Sequence, residues 1–401
     1  MNLFVIALAK RKASKKAVIN YICPVCGNSN PIYIGTRNNH PYCRLCISFR
    51  GKEADEPFIE PKDTKYKLTY SLSKEQKALS KQLVINYKNK INSLVKAVCG
   101  SGKTEIVLNT ISYAIKKGLR VAFVVPRRDV AIELYLRFKE IFIDNKVILL
   151  YGGHHDCLTG DLICMTCHQL FRYEHYFDLI VMDEIDAFPY KGNNVLQAFF
   201  KRSLRGNYIL LSATPSDEFV ESFKKEGGSV LELFVRFHRH PLPVPKVVTG
   251  NRIKLLYELV KEVRYFLSQN KPVFIFAPTI DICESTFNLL RLFIKGGNCV
   301  HSKHPKRAEI INNFRKGKFK YLVTTAVLER GVTIKNLQVI IFHADHSIYD
   351  SYSLVQIAGR VGRKKDAPTG EVIYLAEQFT KEMDKSIKDI QNANKTLQNL
   401  L

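Results

Sequence analysis

Short apolar runs alternate with amphipathic stretches from about residue 90 to the end of the chain. Runs of four or five apolar residues are typical of buried parallel strands, and apolar residues three or four apart are typical of the helices that cover them. In the first half of the chain, this pattern predicts strands at 94–98, 121–125, 147–150, 179–182 and 208–211, with helices at 106–117 and 130–142. The alternation indicates a doubly wound α/β domain.

Residues 236–245 interrupt the pattern, because three prolines in five residues exclude a helix or a central strand. The alternation then resumes, with strands predicted at 273–276, 321–324, 339–342 and 372–375, helices at 280–293 and 308–315, and a polar helix within 378–401. We therefore predict a polar, cysteine-paired module at 1–60, a first α/β lobe at 61–235 and a second at 236–401. Residues 51–67 are expected to link the module to the first lobe.

The net charge of the chain indicates which class of partner it binds. The chain has 61 Lys and Arg residues against 37 Asp and Glu residues, a formal net charge of +24. This excess favours a polyanionic partner, either nucleic acid or an anionic membrane face, although a merely basic protein would have the same composition. No apolar run is long enough to span a bilayer, and the charges near the start do not match a secretory signal, so we expect a cytosolic protein.

A phosphate-binding loop is predicted at 97–104, Ala-Val-Cys-Gly-Ser-Gly-Lys-Thr. It follows a predicted strand and opens a predicted helix, the context that separates such a loop from a chance glycine-rich turn. The glycines allow backbone N–H groups to approach phosphates, and the helix N-terminus favours negative charge. We expect Lys103 to contact the β- and γ-phosphates of ATP and the Thr104 hydroxyl to bind Mg²⁺. The predicted nucleotide-binding residues of this loop are Gly100, Ser101, Gly102, Lys103 and Thr104.

An apolar strand ends in carboxylates at 183–186, Asp-Glu-Ile-Asp. Active sites of open parallel sheets lie at the C-terminal ends of the strands, which would bring these side chains to the phosphate loop. Asp183 is expected to reach Mg²⁺, and Glu184 to orient and deprotonate the attacking water. Asp186 is expected to hold motifs together across the cleft.

Two arginines near the end of the chain are candidates for completing this site. In Gln-Ile-Ala-Gly-Arg-Val-Gly-Arg at 356–363, Arg360 and Arg363 are three residues apart, so on a helix they would share a face. Arginine suits the stabilisation of a γ-phosphate because its charge is permanent and its geometry is forked. The segment 324–333, which contains Gly331, is rich in small and hydroxyl residues and is expected to serve the nucleotide edge and a nucleic-acid strand.

Other segments at predicted strand ends are candidates for coupling hydrolysis to a strand contact. Ser-Ala-Thr-Pro at 212–215 has hydroxyls in a suitable place, although the same sequence is a plausible turn. Arg127 and Thr166 are candidates for holding backbone phosphates. For Arg128, a solvated helix face is an equally good interpretation.

Four of the ten cysteines form two pairs near the start, with the spacing C-x₂-C-x₁₆-C-x₂-C. This spacing predicts a closed, structural Zn²⁺ site, with an iron–sulfur cluster as the minor alternative. The predicted ligands are Cys23, Cys26, Cys43 and Cys46. Cys164 and Cys167 also have metal spacing, but no second pair lies near them, so they are expected to face a core.

Aromatic and basic residues surround these four cysteines. They would form a stacking surface for single strands, or the aromatic residues would fill the thin core of a small ribbon; the sequence favours neither. The residues concerned are Tyr21, Tyr33, Arg37, His40, Tyr42, Arg44, Phe49 and Arg50.

The four motifs at 100–104, 183–186, 212–215 and 356–363 together resemble those of superfamily 2 helicases and translocases. With the four-cysteine module in front, the chain resembles the ComFA family of late-competence DNA-uptake ATPases over nearly its whole length. Residues 183–190, 236–245 and 328–333 support the narrower match. The resemblance implies two RecA-like lobes and assigns Gln76 to reading adenine.

The resemblance also implies a role and partners. The expected protein is a cytoplasmic ATPase, peripheral at the inner face of the cell membrane, that helps draw incoming single-stranded DNA through the uptake channel. Its implied partners are a phosphoribosyltransferase-like competence protein and a recombination mediator that loads single strands. Many such motors work as rings or clusters, but nothing in this sequence specifies an oligomer.

Two other functions stay open on the sequence. One is a duplex-unwinding helicase of the replication-restart type, whose relatives also combine zinc with this motor but usually carry the cysteines within the helicase region. The other is a zinc-dependent nucleic-acid-binding adaptor whose ATP site only gates binding. The intact Glu184, Arg360 and Arg363 argue against the adaptor.

Overall fold

The computed structural model describes residues 21–49, 51–55, 60–68, 70–98, 100–154, 157–213, 215–233, 240–325, 334–364 and 366–398. The chain divides into two compact units. The first runs from the start of the described chain to Lys96 and from Lys103 to Glu232, and the second comprises 97–102 and the chain from Leu233 onward. The predicted domain bounds at 60 and 235 stay predictions.

The first unit begins with a small antiparallel hairpin and continues into a seven-stranded sheet. The hairpin pairs β1 (Ile34–Arg37) with β2 (His40–Cys43). The sheet has the order β5-β6-β4-β7-β8-β3-β9, and the pairs from β5 to β3 are parallel. Its strands are β3 (Ser93–Ala97), β4 (Val121–Val125), β5 (Val147–Leu150), β6 (Leu162–Thr166), β7 (Phe177–Asp183), β8 (Leu204–Ser212) and β9 (Ser229–Leu233).

In the described part of the first unit, the α-helices that lie between these strands or precede them are α1 (Lys74–Lys88), α2 (Lys103–Lys116), α3 (Arg128–Ile141), α4 (Asn194–Ser203) and α5 (Asp217–Lys225). A 3₁₀-helix, Cys167–Arg172, follows β6. The central strands are buried on both faces, which is why their sequences are continuous apolar runs instead of alternating ones.

The second unit is built on a six-stranded, wholly parallel sheet of order β10-β15-β14-β11-β13-β12. Its strands are β10 (Lys246–Thr249), β11 (Val273–Phe276), β12 (Gly297–Val300), β13 (Tyr321–Thr324), β14 (Gln338–Phe342) and β15 (Val372–Ala376). Its helices are α6 (Arg252–Ser268), α7 (Ile280–Phe293), α8 (Arg307–Arg315), α9 (Ser351–Ala358) and α10 (Lys381–Gln398).

Alternate residues of these strands enter two separate cores, one on each face of the sheet. Helices α6 and α7 pack on one face, with Val273 and Ile275 of β11 beneath them. Helices α8, α9 and α10 pack on the other, against Phe274 and Phe276. The sheet is therefore doubly wound, as predicted.

The predicted fold class of two parallel-sheet α/β lobes is confirmed, and the strands at 121–125, 147–150, 273–276 and 321–324 have the predicted bounds. In both sheets the parallel strands bring their C-terminal ends to one edge, where the predicted motifs lie. Among the described residues, no helix combines the length and the apolar character that a membrane span needs.

Candidate nucleotide site and four-cysteine cluster

The phosphate loop connects β3 to α2. Gly100 and Gly102 have φ angles of +81° and +85°, in the left-handed region that favours glycine. Ser101 between them is fully buried. The loop therefore needs its two glycines to turn into α2, whose first residue is Lys103 and whose N-terminal N–H groups suit an anion. Cys99 lies outside the described residues.

The acidic motif meets this loop at the end of β7. The Lys103 Nζ and Asp183 Oδ1 atoms are 3.9 Å apart, and both side chains are largely buried. Low solvent exposure strengthens the field that each charge exerts on a ligand. The pair thus offers a cation for phosphate oxygens and, beside it, a carboxylate suited to a hard divalent cation.

Glu184 occupies an uncommon backbone conformation for a residue other than glycine, with a φ angle of +59°. Its N–H donates to the Asp183 Oδ1 atom at 2.8 Å and to the Leu211 carbonyl at 2.9 Å. Its own carbonyl accepts from the Ala187 N–H at 2.9 Å. These bonds fix the turn after β7, so the placement of the Glu184 carboxylate depends on the neighbouring strand β8.

A side-chain hydrogen bond joins the acidic turn to the end of β8. The Ser212 hydroxyl donates to the Asp186 Oδ2 atom at 2.8 Å, and Ser212 is fully buried. Asp186 therefore connects two motifs within the first unit. Its action across the cleft stays a prediction. Thr214 lies outside the described residues.

Gln76, the predicted adenine reader, lies in the first turn of α1 and is buried. Its backbone N–H donates to the Ser73 hydroxyl at 3.2 Å, while its side-chain oxygen accepts from the Ser73 N–H at 2.9 Å. This reciprocal arrangement is a capping box that stabilises the start of α1. The role of Gln76 toward adenine stays a prediction, and its amide oxygen already has a structural task.

The structure corrects the prediction that Arg360 and Arg363 share one face of a helix. Helix α9 ends at Ala358, before both arginines, and Gly359 is its C-cap. Gly362 has a φ angle of +69°, which turns the chain away from a helical path. Arg360 is almost fully buried, and the Arg363 Nε atom donates to the Gly359 carbonyl at 2.9 Å. Residues 326–333, including Gly331, lie outside the described residues.

Basic and hydroxyl residues line the edge of the first sheet beyond the phosphate loop. The last residues of β4 and β6, Val125 and Thr166, are paired, and Arg127 follows Val125 by two residues as the N-cap of α3. The Arg128 guanidinium lies 4.4 Å from the centre of the Tyr151 ring, a cation–π contact that neither interpretation of the sequence included. The edge thus carries the positive charge that a phosphate backbone requires.

The four predicted metal ligands come together in residues 21–49, which contain the β1–β2 hairpin and which we call the hairpin module. Their sulfur atoms all lie within 4.8 Å of one another and all four residues are buried. The Cys23–Cys46 and Cys26–Cys43 sulfur pairs are 3.4 and 3.6 Å apart. Four thiolates about 2.3 Å from one tetrahedral ion would be roughly 3.8 Å apart. The cluster therefore fits a single ion better than the larger iron–sulfur alternative.

Burial raises the pKa of the Cys26 thiol to about 12 and also raises the pKa of the Cys46 thiol. A cation that binds here must therefore displace protons. Among the described residues, no other group of three or more potential ligands is close enough to hold a metal. Cys164 and Cys167 are buried in the first unit, as predicted.

The hairpin module packs against the first sheet's helices, which the sequence did not predict. The Phe49 ring lies 5.1 Å from the Phe199 ring, centre to centre, in an edge-to-face arrangement. It also lies 6.1 Å from Phe171 and 6.1 Å from His168. Phe49 is therefore neither an exposed stacking platform nor part of a core private to the ribbon.

The segment after the module is held along the same unit by hydrogen bonds. The Ala54 N–H donates to the Arg172 carbonyl at 2.9 Å, and the Arg172 guanidinium donates to the Lys52 carbonyl at 2.8 Å. Further along, Thr64 is buried and accepts at its carbonyl from the Ser112 hydroxyl at 3.0 Å. The described parts of the predicted linker, 51–55 and 60–67, contain no helix or strand but are hydrogen-bonded to the first unit; we call them the strap.

Two family models match the chain, one in each half. A model described as the res subunit of type III restriction enzymes matches residues 69–217, and the helicase conserved C-terminal domain matches residues 251–365. These are helicase-type ATPase domains and they imply ATP and Mg²⁺. The phosphate loop and the acidic turn fall in the first match, and Arg360 and Arg363 fall in the second.

Curated relatives are similar over most of the chain. The competence protein ComFA of Bacillus subtilis is 34% identical over 400 residues, covering 93% of this chain and 86% of the relative. The ComFA of Streptococcus pneumoniae is 32% identical over 371 residues, with 88% and 86% covered. Among solved structures, S. cerevisiae Dbp5 bound to RNA and ADP BeF₃ superimposes with a TM-score of 0.64 at 19% identity, covering 83% of this chain and 94% of Dbp5. That likeness concerns the fold alone.

Proposed function

This chain belongs to the ComFA family of competence proteins and carries the domains of a helicase-like ATPase, and from this premise we propose that it is an ATP-dependent motor that moves along single-stranded DNA. Its task would be to help import transforming DNA during natural competence. One observation carries the proposal: the Lys103 ammonium and the Asp183 carboxylate meet 3.9 Å apart beside the glycine turn.

In the proposed site, Lys103 and the N–H groups of the loop bind the β- and γ-phosphates. The Thr104 hydroxyl and Asp183 would hold Mg²⁺, and the ion would supply positive charge to neutralise the negative charge that develops during hydrolysis. Glu184 orients the attacking water and accepts its proton. Its hydrogen-bonded turn supports this role, since a base must be held within reach of the water.

Arg360 and Arg363 are proposed to stabilise the charge on the γ-phosphate during hydrolysis. They lie on the other unit from Lys103, so hydrolysis would need the two units to act together. Gln76 and Gly331 are proposed to contact the nucleotide. If single-stranded DNA favours the arrangement in which the arginines act, it should stimulate hydrolysis.

The proposed track is single-stranded DNA because the net charge is +24 and because Thr166 ends β6 and Arg127 follows the neighbouring strand β4. The four cysteines are proposed to hold one Zn²⁺, which would cross-link the hairpin module without an open coordination position. From the family, we also propose an inner-membrane location at the uptake channel, with a phosphoribosyltransferase-like competence protein and a single-strand-loading mediator as partners.

The test is the ATPase rate of the full chain with single-stranded DNA, duplex DNA and RNA at several salt concentrations. We expect little hydrolysis without nucleic acid and strong stimulation by single-stranded DNA that weakens as salt rises. Maximal hydrolysis without DNA would refute the translocase. Displacement of a protein block from single strands is the second readout. Efficient unwinding of a tailed duplex would instead indicate a helicase of the restart type.

A further inference from the structure

Helix α6 has two apolar stripes, only one of which is covered. Leu255, Leu259 and Val263 are buried against the sheet. Ile253 and Tyr257, on another face, are 79% and 66% exposed. One buried stripe is what a helix on a sheet requires, and the second stripe is left exposed by the part of this unit that the structure describes.

Helix α7 contributes a matching exposed surface. Leu292 and Phe293, at its C-terminal end, are 74% and 54% exposed. Between the two helices runs an open groove of about 540 Å³. We call it the α6/α7 groove; it is lined by Leu256, Tyr257, Val260, Lys261, Arg264, Leu289 and Phe293. Single exposed apolar residues are ordinary, but a contiguous surface of this kind marks an interaction site.

The groove lies on the opposite face of the sheet from the helix that leads to Arg360 and Arg363. Helices α6 and α7 cover the face that Val273 and Ile275 share, and α9 packs on the face of Phe274 and Phe276. An occupant of the groove would therefore leave the α9 face of this unit uncovered.

Charge at the groove selects among possible occupants. The lining contains two cations, Lys261 and Arg264, and no acid. The Lys261 Nζ atom is 2.9 Å from a carboxylate oxygen of Glu258, and the Arg264 guanidinium donates to the Phe293 carbonyl at 3.4 Å. Arg264 thus spans the two helices and keeps its charge at the groove. A second copy of a chain with a net charge of +24 would meet like charge here.

Nucleic acid fits the groove less well than protein does. Bases could stack on the rings of Tyr257 and Phe293, but Leu256, Val260 and Leu289 add branched aliphatic surface that a nucleic-acid strand does not need. Such surface fits the apolar side of an amphipathic helix laid between two helices.

We propose that the α6/α7 groove is a docking site for an amphipathic helix of another protein, with apolar residues one helical turn apart and acidic residues beside them. The inference is independent of the reaction at Lys103, since none of the lining residues belongs to that site. It would let a partner bind the second unit while the motor runs.

The test is a selection of displayed random peptides on the full chain, followed by affinity measurements with the selected peptides. We expect acidic, amphipathic sequences whose affinity falls at least tenfold in Tyr257→Asp and in Phe293→Asp, since both side chains line the groove. Ile143→Asp is the matched control, because Ile143 is 70% exposed on the first unit. DNA-stimulated hydrolysis should stay unchanged in all three variants. The milder variant Phe293→Ala and a melting curve of each variant guard against a folding defect.

Four results would overturn the proposal. If the groove substitutions left the affinity of the selected peptides unchanged, the groove would not be their binding site. If the selected peptides were not acidic, the proposed chemistry of the partner would be wrong. A lower oligomeric mass in Tyr257→Asp by sedimentation would make the groove a self-association surface. Competition between single-stranded DNA and the selected peptide would make it part of the nucleic-acid track.

Discussion

Replacing Phe49 by alanine should loosen the hairpin module from the first unit without emptying the four-cysteine cluster. The Phe49 ring contacts Phe199, Phe171 and His168, all beyond the module in sequence. The cysteines themselves are untouched by this substitution. Phe49→Ala therefore separates the docking of the module from its metal content.

The expected cost follows from the burial of the ring. Replacing a fully buried phenylalanine by alanine costs about 3–5 kcal/mol. Phe49 is half-buried, and its edge-to-face contact with Phe199 at 5.1 Å adds to simple burial, so we expect about 2–3 kcal/mol. This corresponds to a shift of roughly 30- to 150-fold in the docking equilibrium.

Hydrogen exchange at Ala54 is the most direct assay, because the Ala54 N–H donates to the Arg172 carbonyl only while the strap is in place. Its exchange should accelerate by about the same factor as the docking equilibrium shifts, with metal content unchanged. Ile47→Ala is the control, since Ile47 is exposed. Unchanged exchange at Ala54 in Phe49→Ala would refute the reasoning that these ring contacts hold the module.

Four further predictions concern the site and the cluster. Glu184→Gln should bind ATP but lose hydrolysis by about 100-fold or more, which is the order of magnitude of general-base catalysis. Nucleotide binding and turnover are measured in parallel, and normal turnover would refute the role of Glu184 as the base. Arg363→Ala should likewise retain binding and lose DNA-stimulated hydrolysis, which undiminished turnover would contradict. Ser212→Ala should cost about 1–3 kcal/mol by depriving Asp186 of a buried donor, seen as a lower melting temperature. Cys43→Ser should reduce the expected single zinc per chain, and zinc affinity in the native protein should fall as pH falls because protons compete for the thiols; metal analysis across pH checks both.

The sequence predicted most of the strands that are buried on both faces, because such strands are unbroken apolar runs, but β6, Leu162–Thr166, was not among those predicted. It did not predict β12, Gly297–Val300, whose glycine and asparagine hide the strand pattern. It placed Arg360 and Arg363 on a helix because their spacing suggested one, while the positive φ angle of Gly362 ends that possibility. A glycine can adopt both a helical and a left-handed conformation, so the sequence alone does not show that the chain leaves the helix before Gly362.

The candidate site was predicted more completely than its supports were. Motif spacing brought Lys103 and Asp183 to one sheet edge, where they meet. The capping box of Gln76 is encoded locally, as Ser-x-x-Gln at 73–76, and it gives Gln76 a structural role beside the predicted one. The packing of Phe49 on Phe171 and Phe199 joins residues far apart in the chain, and no local pattern encodes such a contact.

The strap between the hairpin module and α1 also bears on how truncated forms of this protein should be interpreted. In the strap, Thr64 is buried and accepts a hydrogen bond from Ser112 of α2. The Asp63 Oδ1 atom is 3.0 Å from the Nζ atom of Lys116, which also lies on α2. A deletion that ends near residue 60 would therefore remove Phe49 from its contacts with Phe171 and Phe199 and would also remove the first part of the strap. If such a deletion lost activity, the cause could be damage to the first unit and not the loss of the metal. Substitutions at the cysteines alone would test the metal site.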